Sequence, residues 1–326
     1  MRHPANSMMF LFRHRNLLVN IPQEVFRRPL STSADKSLLL KLRKDTGLSF
    51  AVCRDALLKN ANDYNQALTW LNEEAVRRGW AKAGRLSNRL LSQGLLGVLS
   101  DKSCAVIVEV NCETDFVARN DQFQNLVASI TETVMASFTK DLHKDHWTSE
   151  DVGSLIIPQS LLSINDSVAS VVGAIGEKIA VRRAFGLSAV DLDSTSRLAT
   201  YSHISSTGVK SAIRDVRFGK YAAAVRYRPV GEQLPTSAWH ERAARLGRQL
   251  CQHIVGMNPR PGLELTEPAS DPEEEQCLLL QPFFLDESVR VMDHLARNDM
   301  ILEDFIRVEC GQSVDDASVT VSAMSS

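Results

Sequence analysis

The chain lacks the features that would place it in a membrane or in a disulfide-bonded scaffold. None of its apolar runs approaches the roughly 18–20 residues that a membrane-spanning helix requires. Its six cysteines are scattered and form no CxxC pair with histidines at metal-ligand spacing. With 44% hydrophobic and 23% charged residues, its composition is that of an ordinary globular protein. We therefore expect reduced, mostly structural thiols, no metal site and no membrane contact.

Signatures of common catalytic sites are also missing. The chain contains no GxSxG, no HExxH and no protein-kinase signature. It lacks the loop whose backbone amides hold nucleotide phosphates, so we expect the isolated chain not to bind GDP or GTP. Glu113 and Asp115 are two neighbouring carboxylates, but on a surface turn they are better suited to accept hydrogen bonds than to form an acid/base pair. The sequence therefore predicts no catalytic residue, no cofactor and no enzyme activity.

Positive charge is concentrated at the start of the chain. Residues 1–34 carry five arginines and a single acid, Glu24, and the segment ends in Arg27-Arg28-Pro29-Leu30-Ser31-Thr32-Ser33. This arginine-rich, acid-poor pattern is typical of a mitochondrial transit peptide. We expect import into the mitochondrial matrix and cleavage near residues 28–35. A basic arm that binds nucleic acid is the alternative.

The rest of the chain is acidic. The whole chain has 37 basic and 39 acidic residues, of which five and one lie in the first segment, so the remainder has 32 basic and 38 acidic side chains. Its net charge is therefore −6. Nucleic-acid binding depends on cationic side chains that neutralise phosphates, so this balance argues against direct nucleic-acid binding.

Residues 35–80 are predicted to form a domain of three short helices. Thr46-Gly47 and the turn at 60–63 separate the helices, and Ser49 and Asp63 are candidate helix caps. The stretch Gly79 to Gln93, rich in small and basic residues, is predicted to be a linker. The apolar positions of the helices are Leu38, Leu39 and Leu42, then Val52, Ala56 and Leu57, then Ala67, Trp70 and Leu71.

The following part of the chain contains an internal repeat. Each copy has two short strand patterns joined by a turn, which predicts a hairpin, and an amphipathic helix follows. The strands are 117 residues apart, from Cys104 to Tyr221, and the helices are 118 residues apart, from Asp121 to Trp239. The predicted hairpins are Leu95–Leu99 with Cys104–Val110 and Ile213–Phe218 with Tyr221–Tyr227.

One hairpin and one helix bury little surface, so each copy must recruit later elements. We expect an α+β fold: the helical domain, then two repeated subdomains, 92–200 and 201–311, each a small antiparallel sheet packed with helices. Residues 312–326, rich in Ser and Asp, are predicted to be a disordered tail. The recruited elements are predicted at Val168–Ile175 and Ile179–Arg183 in the first copy and at Ser288–Arg297 and Ile301–Val308 in the second.

The connection between the first hairpin and its helix holds the clearest functional signal. It is a polar turn with one aromatic residue, Phe116, beside Asp115. A surface connection of this kind presents its side chains outward, where a partner can reach them. The alternative is structural: Asn120 or Asp121 caps the helix, and Phe116 and Val117 fold back onto the core.

The run Glu113-Thr114-Asp115-Phe116-Val117-Ala118-Arg119-Asn120-Asp121 closely resembles the signature of the elongation factor Ts family. Members of that family are guanine-nucleotide exchange factors of the translational GTPase elongation factor Tu. Ile175-Gly176-Glu177-Lys178-Ile179, with Lys178 in place of a family asparagine, and Leu280-Gln281-Pro282-Phe283 resemble two further family segments. The helical domain resembles the ubiquitin-associated-like domain of these proteins, so the resemblance covers about residues 37–310.

The resemblance implies that Asp115 and Phe116 wedge into elongation factor Tu and disturb its Mg²⁺ and phosphate site. It also implies that Val117, Arg119 and Asn120 support this turn.

His203 resembles a family histidine that faces the nucleotide pocket of the GTPase. The residues after it, Ile204-Ser205-Ser206-Thr207-Gly208, depart from the family pattern, and a solvated or capping histidine is the structural alternative.

The implied function is therefore that of an exchange factor. Such a chain binds mitochondrial elongation factor Tu in its GDP-bound and nucleotide-free states and promotes GDP release, so that GTP can rebind. Two other classes compete: an adaptor that uses the helical domain to bind ubiquitin-like or other partners, and an enzyme with an unrecognised site inside the repeat. The transit-peptide pattern argues against the first, and the missing catalytic constellation argues against the second.

Overall fold

The computed structural model describes residues 33–46, 48–139, 145–190, 195–204, 208–231 and 236–312. These residues divide into two compact units, of which the first ends at Leu71 and the second begins at Asn72. Apart from Ser33, Ala34 and Gln312, the predicted transit peptide and the predicted tail lie outside the described residues. Within the described ranges, no helix is both long enough and apolar enough to span a bilayer.

The first unit is helical, as predicted. It contains α1 (Lys36–Thr46), α2 (Phe50–Lys59) and the start of α3 (Tyr64–Arg85). The Asp63 carboxylate caps α3 by accepting a hydrogen bond from the backbone N–H of Gln66 at 3.0 Å. The predicted apolar positions converge in one small core, whose buried side chains are Leu42, Cys53, Ala56, Leu57, Ala67 and Leu71.

The second unit combines strands and helices. In chain order its strands are β1 (Gln93–Ser100), β2 (Cys104–Cys112), β3 (His146–Thr148), β4 (Ile179–Ser188), β5 (Arg197–His203), β6 (Ala212–Ile213), β7 (Val216–Gly219), β8 (Tyr221–Pro229), β9 (Pro282–Phe283), β10 (Asp286–Arg290) and β11 (Met300–Glu309). Its helices are α4 (Asp115–Arg119), α5 (Asp121–Phe138), α6 (Ser149–Ser154), α7 (Ile164–Ile175), α8 (Ser237–Met257) and α9 (Val291–Ala296).

Two antiparallel sheets stack face to face in this unit. One has the strand order β3-β4-β2-β1-β7-β6 and the other has the order β11-β8-β5. Side chains alternate between the faces of a strand. On β2, Val106 faces a core shared with α5, whereas Ile107 faces a core shared with Ala224 of β8. Val225 of β8 points the other way, into a core shared with α8. The layers are therefore helix, sheet, sheet and helix, which confirms the α+β fold class.

The repeat is clearest in the strands. β2 and β8 each have nine residues and start 117 residues apart, as predicted. β4 and β11 each have ten residues and the same alternation of buried and half-buried positions. The helices α5 and α8 start 116 residues apart rather than 118, because α8 begins at Ser237, two residues before Trp239.

The predicted hairpin of the second copy is wrong. β8 pairs with β11 and β5, while β7 pairs with β1 of the first copy and with β6. Val216 and Phe218 of β7 are buried in the core beneath the six-stranded sheet, which accounts for this pairing. Gly219 lets the chain cross from one sheet to the other, because a Cβ there would lie 2.7 Å from the Tyr221 carbonyl oxygen. The expected subdomain boundary at 200/201 falls inside β5.

Two predicted segments also differ in detail. Helix α3 continues through Gly79 to Arg85 instead of giving way to a linker. Gly79 is buried where α3 crosses α7, and a Cβ there would lie only 1.9 Å from the Ala169 carbonyl oxygen, so a glycine is required. The predicted helix at 288–297 is shorter, because residues up to Arg290 belong to β10, which pairs with β9.

Candidate functional site

The segment between β2 and α5 is a short capped helix rather than an open turn. Thr114 caps α4 by accepting a hydrogen bond from the backbone N–H of Val117. Asn120 ends α4 and caps α5, accepting from the backbone N–H of Gln122 at 2.8 Å. Side-chain caps of this kind satisfy N–H groups that a helix start leaves without partners. The structural alternative is therefore right about Asn120, which joins the end of α4 to the start of α5 as a helix cap.

Neighbouring residues of α4 have opposite environments. Phe116 is 75% exposed, whereas Val117 is 3% exposed and Ala118 is also buried in the core with α5. The structural alternative is therefore right for Val117, which packs inward, and wrong for Phe116, which does not. Burial of Val117 and Ala118 fixes the inner face of α4, so Phe116 projects from a supported surface.

Asp115, Phe116 and Arg119 form one exposed group, which we call the α4 patch. The Arg119 guanidinium donates to the Asp115 carboxylate at 2.6 Å, four residues apart on the same helix. The same guanidinium lies 6.0 Å from the centroid of the Phe116 ring. The patch thus presents an aromatic ring beside a carboxylate and a guanidinium, all accessible to a partner.

A second segment packs against α4 and α5. Gln124, fully buried on α5, donates to the carbonyl oxygens of Ala118 and Gly208, and its own carbonyl accepts from the backbone N–H of Lys210. A Cβ on Gly208 would lie 3.2 Å from the Arg119 side chain. The segment beginning at Gly208 therefore lies beside the α4 patch. Sequence reasoning missed Gln124, although a glutamine directly after Phe123 on an otherwise apolar helix face could have signalled it.

His203 lies at the same edge of the unit. It is exposed at the end of β5, and its carbonyl oxygen accepts from the backbone N–H of Lys220 at 2.8 Å. The Lys220 ammonium donates to Gln93, which pairs with Cys112 at the end of β2, next to α4. The chain from His203 to Gly208 can span at most about 18 Å. His203 and the α4 patch are therefore close enough to contact one partner.

An open apolar groove of about 580 Å³ lies beside His203. One of its walls is held by buried His253, whose Nδ1 accepts from the backbone N–H of Phe284 at 3.3 Å. The His253 Nε2 then carries the proton and donates to Gln281 at 3.0 Å. Burial lowers the pKa of His253 to about 4, against a weaker opposing effect of Gln281, so the ring is neutral near pH 7. The groove is lined by Tyr201, His203, Tyr221, Gln252, Val255, Gly256, Phe284 and Leu285.

The thiols near this edge are unreactive. Burial raises the pKa of the nearby Cys112 and Cys310 thiols to about 12, so both are protonated and poor nucleophiles. In the described part of the chain, no three His, Cys, Asp or Glu side chains are arranged to hold a metal ion. The accessible groups are an aromatic ring, an ion pair and a histidine, which are suited to recognising a protein surface.

Most of the chain is similar to proteins of known family. The family profile "Elongation factor Ts, mitochondrial, N-terminal" matches residues 25–81, and "Elongation factor TS" matches residues 113–263. The chain is 38% identical to "Elongation factor Ts, mitochondrial" of Xenopus laevis, over 88% of this chain and 90% of that protein. It is 36% identical to the protein of that name from Nematostella vectensis, over 85% and 99%, and 33% identical to that of Bos taurus, over 88% and 83%. The chain belongs to the elongation factor Ts family.

Proposed function

We propose that this chain is a guanine-nucleotide exchange factor that binds mitochondrial elongation factor Tu and promotes GDP release during translation elongation. Family membership supports a role in elongation, since the general role of the family is nucleotide exchange on elongation factor Tu. The observation that carries the proposal is Phe116, an aromatic side chain that is 75% exposed on a doubly capped helix.

The mechanism requires contacts and no catalysis. A protein that binds nucleotide-free GTPase more tightly than the GDP-bound form weakens GDP binding by the same coupling free energy. Burying a phenylalanine side chain in the partner supplies roughly 1.5–3 kcal/mol, or one to two powers of ten in the equilibrium. The chain therefore acts as a binding protein rather than an enzyme, and Phe116 needs help from other contacts.

The other site residues have separate roles in this proposal. Asp115 and Arg119 supply polar contacts on either side of Phe116. Val117 and Asn120 set the position of α4 through burial and capping. His203 contacts the same partner from the end of β5.

The proposed location is the mitochondrial matrix. The curated relatives described above are named as mitochondrial proteins, and the arginine-rich start of the chain has the pattern of an import signal. Sequencing the N-terminus of protein recovered from the matrix should show a start near residues 28–35. Recovery of a chain that still begins at Met1, or a purely cytosolic distribution, would contradict this location.

The test is the release of labelled GDP from purified mitochondrial elongation factor Tu, stimulated by the full chain. Phe116→Ala should lower stimulated release about tenfold, as expected for a buried interface aromatic, and leave the melting temperature nearly unchanged. Asp115→Ala should also impair release.

Two leucines are matched controls. Leu265→Ala removes an exposed side chain from a loop and should change neither release nor stability. Leu126→Ala removes a buried side chain of α5, so it should lower the melting temperature while release per folded molecule is retained. If Phe116→Ala releases GDP as fast as the unmodified chain, or if the isolated chain binds GDP with micromolar affinity, the proposal is wrong.

A further inference from the structure

Contacts behind α4 fix the point where it begins. Glu113 is the residue before the cap of α4, and its side chain is only 13% exposed. One of its carboxylate oxygens accepts from the Arg89 guanidinium at 2.8 Å, and the other accepts from the backbone N–H of Lys178 at 2.5 Å. The end of β2 is thus attached both to the turn that follows α3 and to the turn that follows α7.

The side chain of Lys178 joins these two turns. Its ammonium donates to the carbonyl oxygens of Ser87 at 2.6 Å and Arg89 at 2.9 Å. An ammonium shared by two carbonyl oxygens has a defined position. Lys178 therefore holds the turn after α3 with its ammonium and holds Glu113 with its backbone N–H. Asparagine, which the family pattern quoted above has at this position, places its terminal amide two atoms closer to the backbone and could not make the same pair of contacts.

The residue beside Lys178 orients the cap itself. Glu177 accepts from the Thr114 hydroxyl at 2.9 Å, and that hydroxyl oxygen accepts from the backbone N–H of Val117. Gly176, with φ of 95°, ends α7 in the left-handed region and turns the chain toward α4. Glu177 and Lys178 thus bind Thr114 and Glu113, the two residues that precede α4. We call Arg89, Glu113, Glu177 and Lys178 the latch.

Glu113 is charged in this arrangement. Burial opposes its charge, but the hydrogen bonds from Lys178 and Arg89 outweigh burial and hold the pKa of Glu113 below its ordinary value. The carboxylate is therefore ionised at neutral pH.

A five-residue helix needs such support. Helices of this length are unstable by themselves, so the orientation of α4 depends on its ends and its inner face. The inner face contributes only Val117 and Ala118 to the core. We propose that Lys178 is a positioning residue that, through Glu113 and the cap, holds Phe116 in the orientation that nucleotide exchange requires. This inference rests on the proposed function.

A double-mutant cycle tests it, with stimulated GDP release per folded molecule as the readout. Lys178→Met keeps the aliphatic stem and removes the ammonium. It should lower release about fivefold when Phe116 is present and less than about twofold in the Phe116→Ala background, because coupled residues give non-additive effects. Lys102→Met, in the exposed turn between β1 and β2 at the far end of β2, is the charge-matched control and should have no effect.

Two further measurements keep the test decisive. If Lys178→Met does not fold, Arg89→Met removes the neighbouring contact to Glu113 from a half-exposed position and should show the same non-additivity with a smaller effect. Hydrogen exchange of the backbone amides of 115–119 should become faster in either variant. The latch is overturned, and the proposed function is not, if Phe116→Ala impairs release and one of two results is seen. Either Lys178→Met lowers release equally with and without Phe116→Ala, or Lys178→Met alone leaves release unchanged. Full release in Phe116→Ala alone overturns the proposed function and the latch with it.

Discussion

The two copies of the repeat carry an ion pair at the same position with the charges exchanged. In the first copy Glu109 of β2 is opposite Arg183 of β4, and in the second Arg226 of β8 is opposite Asp304 of β11. The preceding residues follow the same exchange, because Arg182 contacts Glu109 and Glu303 contacts Arg226. Each pair lies beside a register shift in its sheet.

The two pairs differ in how tightly they are bonded. Glu109 is fully buried and accepts from the Arg183 guanidinium at 2.7 Å and from the backbone N–H of Gly311 at 2.8 Å. Arg226 lies 3.5 Å from Glu303 and 4.0 Å from Asp304, and its side chain is 19% exposed. The two copies thus keep an ion pair at the same position, although the acidic and basic residues exchange strands and the contacts differ. The contribution of each pair to stability therefore has to be estimated from its own contacts.

The largest expected effect is the loss of the first pair. Glu109→Gln keeps the size of the side chain but leaves buried arginine without its counter-charge. It should lower the free energy of unfolding by about 3–5 kcal/mol, the usual cost of removing one member of a buried pair. Urea denaturation at pH 7.5 would measure this difference.

Arg226→Met is the corresponding substitution in the second copy. It should lower the free energy of unfolding by only about 1 kcal/mol, because Arg226 is partly solvated and Glu303 keeps its contact with Arg228 at 3.1 Å. If the two variants lose the same free energy of unfolding, burial and bond length do not determine how much each ion pair contributes to stability.

The next prediction concerns the loss of stability at acidic pH, which should arise in the core of the second copy and not in that of the first. His253 of α8 is buried with a pKa of about 4, and the matching residue of α5, 116 residues earlier, is Ser137, which does not titrate in this range. The unfolded chain binds a proton on this histidine below about pH 6.5, whereas the folded chain does not until about pH 4. The contribution of neutral His253 to the free energy of unfolding is therefore fully present above about pH 6.5 and is lost as the pH falls toward about 4.

Between pH 7.5 and pH 5 this group should lower the free energy of unfolding by about 2 kcal/mol. The measurement is urea denaturation at both pH values for the unmodified chain and for His253→Gln. The variant should lose less stability than the unmodified chain over this interval. The same loss in both proteins would assign the acid sensitivity to another group.

The smallest effect compares the helix caps of the two copies. Asn120 caps α5 and Thr236 caps α8, again 116 residues apart. Asn120→Ala and Thr236→Ala should each lower the free energy of unfolding by about 1 kcal/mol. Only Asn120→Ala should also slow stimulated GDP release, because Asn120 alone is joined to α4. Slower release in Thr236→Ala as well would indicate a general loss of folded protein.

The strand pairing could be predicted from the sequence for one copy and not for the other. In the first copy a short turn at Asp101 joins β1 and β2, and proximity along the chain decides the pairing. In the second copy the residues before β8 have equally good strand patterns, but β8 pairs with β5, which lies further back. The intervening β7 completes the first sheet instead, where it buries Val216 and Phe218. Local periodicity cannot choose between two sheets that compete for one strand.

The candidate site divides in the same way. The site residues Asp115, Phe116, Arg119 and Asn120 could be identified from the sequence. They lie within a run of nine consecutive residues that has a recognisable pattern. The contacts of Lys178 and Arg89 could not, because their partners are 24 to 91 residues away along the chain. The same holds for the contacts of Gln124 with Gly208 and Lys210, which are 84 and 86 residues away.

The amino-acid sequence alone was enough to predict the α+β composition, the three helices of the first unit, the 117-residue spacing of β2 and β8, and the family. These follow from hydrophobic periodicity and short motifs, which act between neighbours along the chain. Tertiary packing was needed to establish that the two sheets stack, that Phe116 is exposed while Val117 is buried, and that Gly79 is a contact point rather than a helix end. Those outcomes depend on which surfaces meet in space and exclude water, and a surface made of distant segments exists only once the chain has folded.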